Sequence, residues 1–137
     1  MWEEGRALHH PRQLDRDALR AMAGALPGRH EMTAFTPAET EHAFFGRTIL
    51  SAEWREPSPD LLELWIEADG FLRHMIRILV GTMLLAARNG GDPAGFAALL
   101  DGRPRAEAGP TAPPHGLYFA GAGYKGEPVL PPPPATP

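Results

Sequence analysis

Three arginines have the residue type and spacing best suited to chemistry on an anion. Arg73, Arg77 and Arg88 lie in a strongly apolar stretch, residues 71–89. At about 100° per residue, a helix would place them on one stripe that also contains Gly81. A guanidinium binds phosphate or carboxylate through two parallel hydrogen bonds. The stripe therefore predicts an anion-binding surface, with a gap at Gly81 where backbone or ligand can approach closely.

The same arginines also fit a simpler interpretation, in which they form a solvated helix face. In that case Arg77 pairs with Glu67 or Asp69. Burial is expected for Arg77 because its neighbours on both sides are apolar, and a buried arginine requires an anionic partner. For Arg73 and Arg88 both interpretations remain open.

Other catalytic groups are hard to find in the sequence. There is no cysteine, which excludes a disulfide scaffold, a thiolate metal site and a cysteine nucleophile. The six histidines lack metal-ligand spacing, so no metal site is expected. No serine lies in a nucleophile elbow, and no glycine-rich loop suited to phosphate is present. On residues alone, the chain lacks an obvious nucleophile or general base.

The charge is unevenly distributed along the chain. The net charge is −4, but residues 70–125 carry six basic side chains against three acidic ones. A local basic surface can bind phosphate whatever the sign of the total. Twelve of the thirteen basic residues are arginine, which fits either phosphate recognition or a codon bias. With no signal peptide and no apolar run long enough to span a bilayer, a cytoplasmic protein without membrane contact is expected.

Periodicity predicts an amphipathic helix followed by a hairpin. Apolar residues recur every four positions over residues 14–26, whereas residues 29–46 resemble a loop. Residues 47–56 and 61–70 alternate and predict two antiparallel strands across a Pro-rich turn. In the first strand, one face is expected to carry Thr48, Leu50, Ala52 and Trp54.

After the hairpin the period changes to about 3.6. A long helix is predicted over residues 71–89 and a short helix over 94–100, the latter capped by Asp92-Pro93. A Gly/Pro-rich segment then precedes a third strand at 116–124. The pattern predicts an α+β fold, with a small antiparallel or mixed sheet covered on one face by helices. Residues 1–13 form an irregular start, 14–124 the folded part, and 125–137 a disordered Pro-rich tail.

Two segments carry a family resemblance. Residues 71–84, FLRHMIRILVGTML, resemble the helix motif of the tRNA pseudouridine synthase A family. Residues 108–119, AGPTAPPHGLYF, are similar to that family's closing loop and strand. Weaker similarity lies at residues 28–35, GRHEMTAF, where Glu31 and Met32 depart from the family pattern. The resemblance extends over residues 14–124 and implies the C-terminal domain of the pseudouridine synthase fold.

The resemblance also implies that a catalytic part is missing. In this family the catalytic aspartate lies in an amino-terminal half, within an Arg-Thr-Asp-x-Gly-Val-His motif that this sequence lacks. Asp69 is rejected as a substitute because it ends a strand among acidic neighbours without the preceding Arg-Thr. The chain is therefore expected to be a carboxy-terminal half: a truncated reading frame, or one part of a split protein.

The implied function is isomerisation of uridine to pseudouridine in tRNA, in the anticodon arm, with no cofactor. By resemblance, Arg77 matches the arginine that pairs with the catalytic aspartate, and Leu117 matches the apolar residue that packs on the target base. Arg73, His74 and Arg88 are expected to contact tRNA. The intact family implies a homodimer. The alternative is a non-catalytic RNA-binding or dimerisation module derived from such an enzyme.

Overall fold

The computed structural model describes residues 14–39, 44–58, 61–88 and 92–114. Within these ranges the chain forms three helices, three strands and two short 3₁₀ turns. In chain order the elements are α1 (Arg16–Gly24), β1 (Gly28–Glu31), a 3₁₀ turn (Thr33–Phe35), β2 (Gly46–Ser58), β3 (Leu61–Ala68), α2 (Met75–Arg88), α3 (Pro93–Ala98) and a second 3₁₀ turn (Arg105–Glu107). This arrangement confirms the predicted α+β class.

Aspartate side chains cap the two helices that flank the long one. The Asp15 carboxylate accepts a hydrogen bond of 3.0 Å from the Ala18 backbone N–H at the start of α1. Asp92 accepts an equivalent bond of 3.0 Å from Gly95, and Pro93 occupies the first turn of α3. Such caps satisfy backbone donors that have no partner inside the helix. Both helices lie where the sequence predicts them.

The sheet has the order β1-β2-β3, with both pairs antiparallel. The predicted hairpin is confirmed as β2 and β3. The prediction of a loop across residues 29–46 is wrong at its start, because β1 pairs with β2 from Gly28↔Ile49 to Glu31↔Gly46. β1 has no apolar alternation and three of its four residues are exposed. Backbone pairing to β2 forms this strand, and periodicity cannot detect such pairing.

A β-bulge changes which side chains of β2 face the core. Ile49 lies opposite Ala68 and Ser51 opposite Glu67, which leaves Leu50 as an extra residue. Ile49 is consequently buried, whereas Leu50 is 58% exposed. The expected face for Leu50 is therefore wrong, since one extra residue reverses the alternation on its amino-terminal side.

The hydrophobic core lies between α1, α2 and one face of the sheet. Its largest fully buried side chains include Phe35, Leu19, Met22, Leu79 and Met83. Phe35 belongs to this cluster, and its ring centroid lies 6.0 Å from that of Phe96 on α3. The residues that follow β3 are therefore held against a packed interior.

Several predictions fall outside the described residues. These are the irregular start (1–13), the third strand (116–124) and the Pro-rich tail (125–137), and the domain boundaries stay predictions. Of the helices that the structure describes, none has the length and apolarity needed to cross a membrane.

Replacing Phe35 with alanine is expected to lower the free energy of unfolding by about 3–5 kcal/mol, because a fully buried ring leaves a cavity. Phe44→Ala is the matched control, since Phe44 is 80% exposed and its loss is expected to cost less than about 0.5 kcal/mol. Urea denaturation followed by circular dichroism measures both. Equal effects of the two substitutions would contradict this placement of the core.

Candidate functional site

The candidate site begins where α2 begins, at a backbone turn centred on His74. His74 has φ 59°, in the left-handed region that residues other than glycine rarely adopt. Its carbonyl nevertheless accepts the N–H of Ile78 at 3.0 Å, and the preceding carbonyl of Arg73 accepts the Thr36 hydroxyl at 3.0 Å. These contacts hold a conformation that would otherwise be strained.

This turn changes the predicted arginine stripe. α2 starts at Met75, so Arg73 lies outside the helix and the helical spacing does not apply to it. Arg77, Gly81 and Arg88 do lie on α2. The prediction of three arginines on one helix face is therefore wrong for Arg73, because the left-handed residue interrupts the helical turn.

The gap at Gly81 is filled by the chain itself. We name residues 109–112 the strap; it crosses α2 at this glycine. A Cβ added to Gly81 would overlap the Pro110 carbonyl oxygen and lie 3.2 Å from the Ala112 nitrogen. Glycine at this position is therefore needed for the close approach of two backbones. The predicted close approach is present, and the strap occupies it.

Hydrogen bonds fix the strap on both sides of this contact. The Gly109 N–H donates to the Thr82 hydroxyl at 2.9 Å, and that hydroxyl donates to the Ile78 carbonyl at 2.7 Å. From the other side, the Arg105 guanidinium donates to the Gly109 carbonyl at 2.9 Å and to the Thr111 hydroxyl at 3.3 Å. The strap thus has no regular secondary structure of its own but has defined partners along its length.

Arg77 joins the strap to the turn at His74. Its Nε donates to the Ala112 carbonyl at 2.8 Å, and its own carbonyl accepts the Ala112 N–H at 2.9 Å. Its Nη1 lies 3.1 Å from Nδ1 of His74. The side chain is half-buried, less than the full burial that its apolar flanks suggest. Two of the three guanidinium nitrogens are therefore engaged by neutral groups.

The hydrogen bond between Arg77 and His74 defines the state of the imidazole. A guanidinium can only donate, so His74 Nδ1 accepts and its ring proton lies on Nε2. Burial lowers the pKa of His74 from its ordinary value, and the nearby positive charges of Arg77 and then Arg73 lower it further. His74 is therefore neutral at neutral pH.

No carboxylate of the described residues neutralises Arg77. The alternative partner Asp69 instead accepts the backbone N–H of Thr48 at 3.0 Å. Glu67 lies on β3 opposite Ser51, and Arg77 forms no ion pair within the part of the chain that the structure describes. Its Nη2 likewise has no hydrogen-bond partner there. The arrangement can bind one more acceptor, and a carboxylate or phosphate oxygen fits the charge.

The other predicted site residues are dispersed. Arg73 and Arg88 are exposed, and Arg88 lies eleven positions after Arg77 on α2, about 16 Å further along the helix axis. Leu117 lies outside the described residues. The structure therefore brings together Arg77, His74 and the strap, but does not place Arg88 beside them. Within the described ranges, no cluster of side chains suited to a metal ion occurs.

Sequence reasoning missed three residues that build this site. Thr36 holds the turn at His74, Thr82 anchors the strap to α2, and Arg105 anchors it from the opposite side. None belongs to a recognisable catalytic pattern. For Thr82, a polar residue in an otherwise apolar helix was an available signal, because a buried hydroxyl needs hydrogen-bond partners.

An open cavity of about 290 Å³ lies elsewhere, between the end of α1, β1 and α3. Its lining includes Arg29 and His30, but also the carboxylates of Glu31 and Asp101. None of the residues predicted for the site lines it. The mixed charge gives this cavity no preference for an anion.

Comparison with known proteins gives a consistent result. A family model described as tRNA pseudouridine synthase matches residues 22–125. The chain is 43% identical over 113 residues to tRNA pseudouridine synthase A of Bacillus pumilus, covering 82% of this chain and 45% of that protein. The protein of the same name from Xanthomonas euvesicatoria is 41% identical over 121 residues, covering 88% and 46%. The Methylobacterium nodulans protein is 38% identical over 120 residues, covering 88% and 47%. The chain spans about half the length of these relatives.

Replacing Gly81 with alanine is expected to lower the free energy of unfolding by about 1–3 kcal/mol, because the new methyl group overlaps backbone that cannot rotate away. Gly24→Ala is the matched control. Gly24 ends α1 with nothing within 4 Å of an added Cβ, so this substitution is expected to stabilise by up to about 1 kcal/mol. Urea denaturation measures both. A neutral Gly81→Ala would mean that the strap does not depend on this contact.

Proposed function

The chain belongs to the tRNA pseudouridine synthase family, and on that premise we propose that it forms the arginine-bearing half of a site that isomerises uridine in tRNA. In this proposal Arg77 orients and keeps ionised a catalytic carboxylate that another segment supplies. The chain corresponds to the carboxy-terminal half of such an enzyme, and the carboxylate comes from an amino-terminal half.

The chemistry of the reaction explains why such a pair is needed. The bond between N1 of uracil and C1′ of ribose breaks, the base turns, and C5 forms a new bond to C1′. The C5 proton then leaves and N1 gains one, so product and substrate are isomers and no oxidant or reductant is consumed. A carboxylate can attack as a nucleophile or accept the proton, provided that it is ionised. A guanidinium beside it favours the ionised form.

One observation carries the proposal: the two sequence segments that resemble the family meet at Arg77. Residues 71–84 contain the turn and most of α2, residues 108–112 contain the strap, and Arg77 donates to the Ala112 carbonyl and accepts the Ala112 N–H. The guanidinium is half-buried, and among the residues that the structure describes its Nη2 has no hydrogen-bond partner. A partial desolvation of this kind strengthens a charge-assisted hydrogen bond to a carboxylate.

Leu117 is proposed to pack against the base to be isomerised. It follows Ala112 by five residues, so at most about 18 Å of extended chain separates the two. An enzyme that acts on a base in a stem or loop must take the base out of its stack and hold it between apolar walls. The anchored strap gives such a wall a fixed starting point.

The proposed partner is tRNA, contacted in its anticodon arm, and the proposed assembly is the homodimer of the intact family. Arg73 and Arg88 are proposed phosphate contacts because both are exposed and cationic. His74, assigned to the same surface by resemblance, can offer tRNA only a neutral Nε2–H donor at neutral pH. His74 therefore contributes less to phosphate binding than the two arginines do.

The half-enzyme proposal predicts that the isolated 137-residue chain releases no tritium from tRNA labelled at C5 of uridine. When the chain is fused to the carboxyl end of the part of the Bacillus pumilus relative that lies outside the match, the fusion is expected to be active.

In that fusion, Arg77→Ala is expected to reduce kcat by at least about 100-fold, since removal of one preorganised donor costs this much in other enzymes. Arg20→Gln, a substitution on α1 that also removes one positive charge, is the control and leaves the rate unchanged. Turnover by the isolated chain, or full activity of Arg77→Ala, would contradict the proposal.

The phosphate contacts predict a change in salt dependence. Arg88→Gln is expected to weaken tRNA binding and to reduce the slope of log affinity against log salt by about 0.7 to 0.9, the value for one phosphate contact. Fluorescence anisotropy with labelled tRNA at several salt concentrations measures the slope, again with Arg20→Gln as control. A slope identical to that of the unmodified chain would remove Arg88 from the RNA-binding surface.

A further inference from the structure

We infer that His74 is a positioning residue, whose Nδ1 accepts a hydrogen bond from Arg77 and thereby determines the direction of Nη2, which has no hydrogen-bond partner among the described residues. The 3.1 Å contact between Nη1 and Nδ1 carries this inference. It assigns His74 a role distinct from contact with RNA. The identity of the Nη2 ligand as a catalytic carboxylate rests on the proposed function. The positioning role of His74 does not rest on it.

Two fixed contacts are sufficient to orient a guanidinium. The group is planar, so its nitrogens cannot move independently. Nε is held by the Ala112 carbonyl at 2.8 Å and Nη1 by His74, and these two acceptors lie on different parts of the chain. With both bonds made, the plane and the direction of Nη2 are determined. Without His74, only the bond to the strap remains, and the plane is free to rotate about it.

The backbone at His74 is held by hydrogen bonds on both sides. The left-handed φ of 59° directs the residue out of the helical path just before α2 begins. The Thr36 hydroxyl holds the Arg73 carbonyl on one side and the Ile78 N–H holds the His74 carbonyl on the other. A residue other than glycine with this φ is strained, and such strain concentrates at functional sites.

The contact requires a neutral imidazole, which gives it a pH dependence. A protonated His74 would lose the acceptor lone pair and place a second positive charge beside Arg77. The charged groups that act on it are Arg77 and Arg73, on its own segment. The strap (residues 109–112) and the turn at residues 33–36 contain no titratable side chain. Because these effects lower the pKa of His74 below its ordinary value of 6.5, the contact is present at and above pH 6.5 and is lost only as the pH falls through that lowered pKa.

Two substitutions separate the hydrogen bond from the backbone conformation. Asparagine and glycine both tolerate a left-handed φ. His74→Asn retains a carbonyl acceptor near the position of Nδ1 but does not titrate. His74→Gly retains the backbone and removes the acceptor. Thr36→Val removes only the hydroxyl that holds the Arg73 carbonyl, and tests whether a loosened turn alone has the same effect.

The measurement is ¹⁵N-resolved NMR of the Arg77 side chain in the full chain, with rotation about the bond between Cζ and Nη1 as the readout. In the unmodified chain we expect slow rotation at pH 7.5 that becomes at least about tenfold faster once the pH has fallen below the midpoint of the His74 ring titration, which is followed in the same samples. In the His74→Asn variant this rotation should be slow at both pH values. In the His74→Gly variant it should be fast at both. The Met83 methyl signal reports that the core remains folded.

The inference is overturned if Arg77 rotates as slowly in His74→Gly as in the unmodified chain, or if its rotation does not follow the His74 titration. It is also overturned if His74→Asn behaves like His74→Gly. None of these readouts requires turnover. Slow, pH-dependent rotation together with an inactive fusion enzyme would therefore retain the positioning role of His74 and reject the proposed function.

Discussion

The contact between α2 and the strap at Gly81 is the constraint on which the rest of the site depends. Because Gly81 has no side chain, the Pro110 carbonyl reaches the helix backbone, and only at this separation can Ala112 exchange hydrogen bonds with Arg77. Any larger residue would push the strap outward and lengthen both bonds. The close approach also brings Gly109 within reach of the Thr82 hydroxyl. The absence of a Cβ at Gly81 therefore allows the contacts that position Arg77 and the strap, which leads to the proposed base-contacting residue Leu117.

The environment of Arg77 has an unusual electrostatic balance. Transferring a charge to a partly desolvated position is unfavourable unless the charge is paired. Here the compensation within the described residues comes from neutral acceptors, the Ala112 carbonyl and His74. Such acceptors orient the guanidinium without neutralising it. A site of this kind has a preformed shape and a residual attraction for an anion, which is what a half-site for a carboxylate requires.

Elements with strong periodicity and clear end signals could be predicted from sequence, and elements held by backbone contacts could not. α1, α3 and the hairpin follow from apolar spacing and from the caps at Asp15 and Asp92. β1 could not be predicted because its pairing with β2, and not a pattern of its own, forms the strand. The bulge at Leu50 could not be predicted because one extra residue leaves no signal in the composition. In the site, Gly81 and Arg77 were predictable. The left-handed His74 was not, and it removes Arg73 from the helix.

The central claim is that Arg77 pairs with a carboxylate from another segment, and a double-mutant cycle tests it most directly. In the fusion with the Bacillus pumilus segment, Arg77→Ala is combined with Asp→Asn at the aspartate of that segment that is proposed as its partner. Unfolding free energies are then measured for the fusion, both single variants and the double variant. The account predicts a coupling free energy above about 1 kcal/mol, as found for residues in direct contact. Effects that add within about 0.3–0.5 kcal/mol, as they do for independent sites, would contradict it.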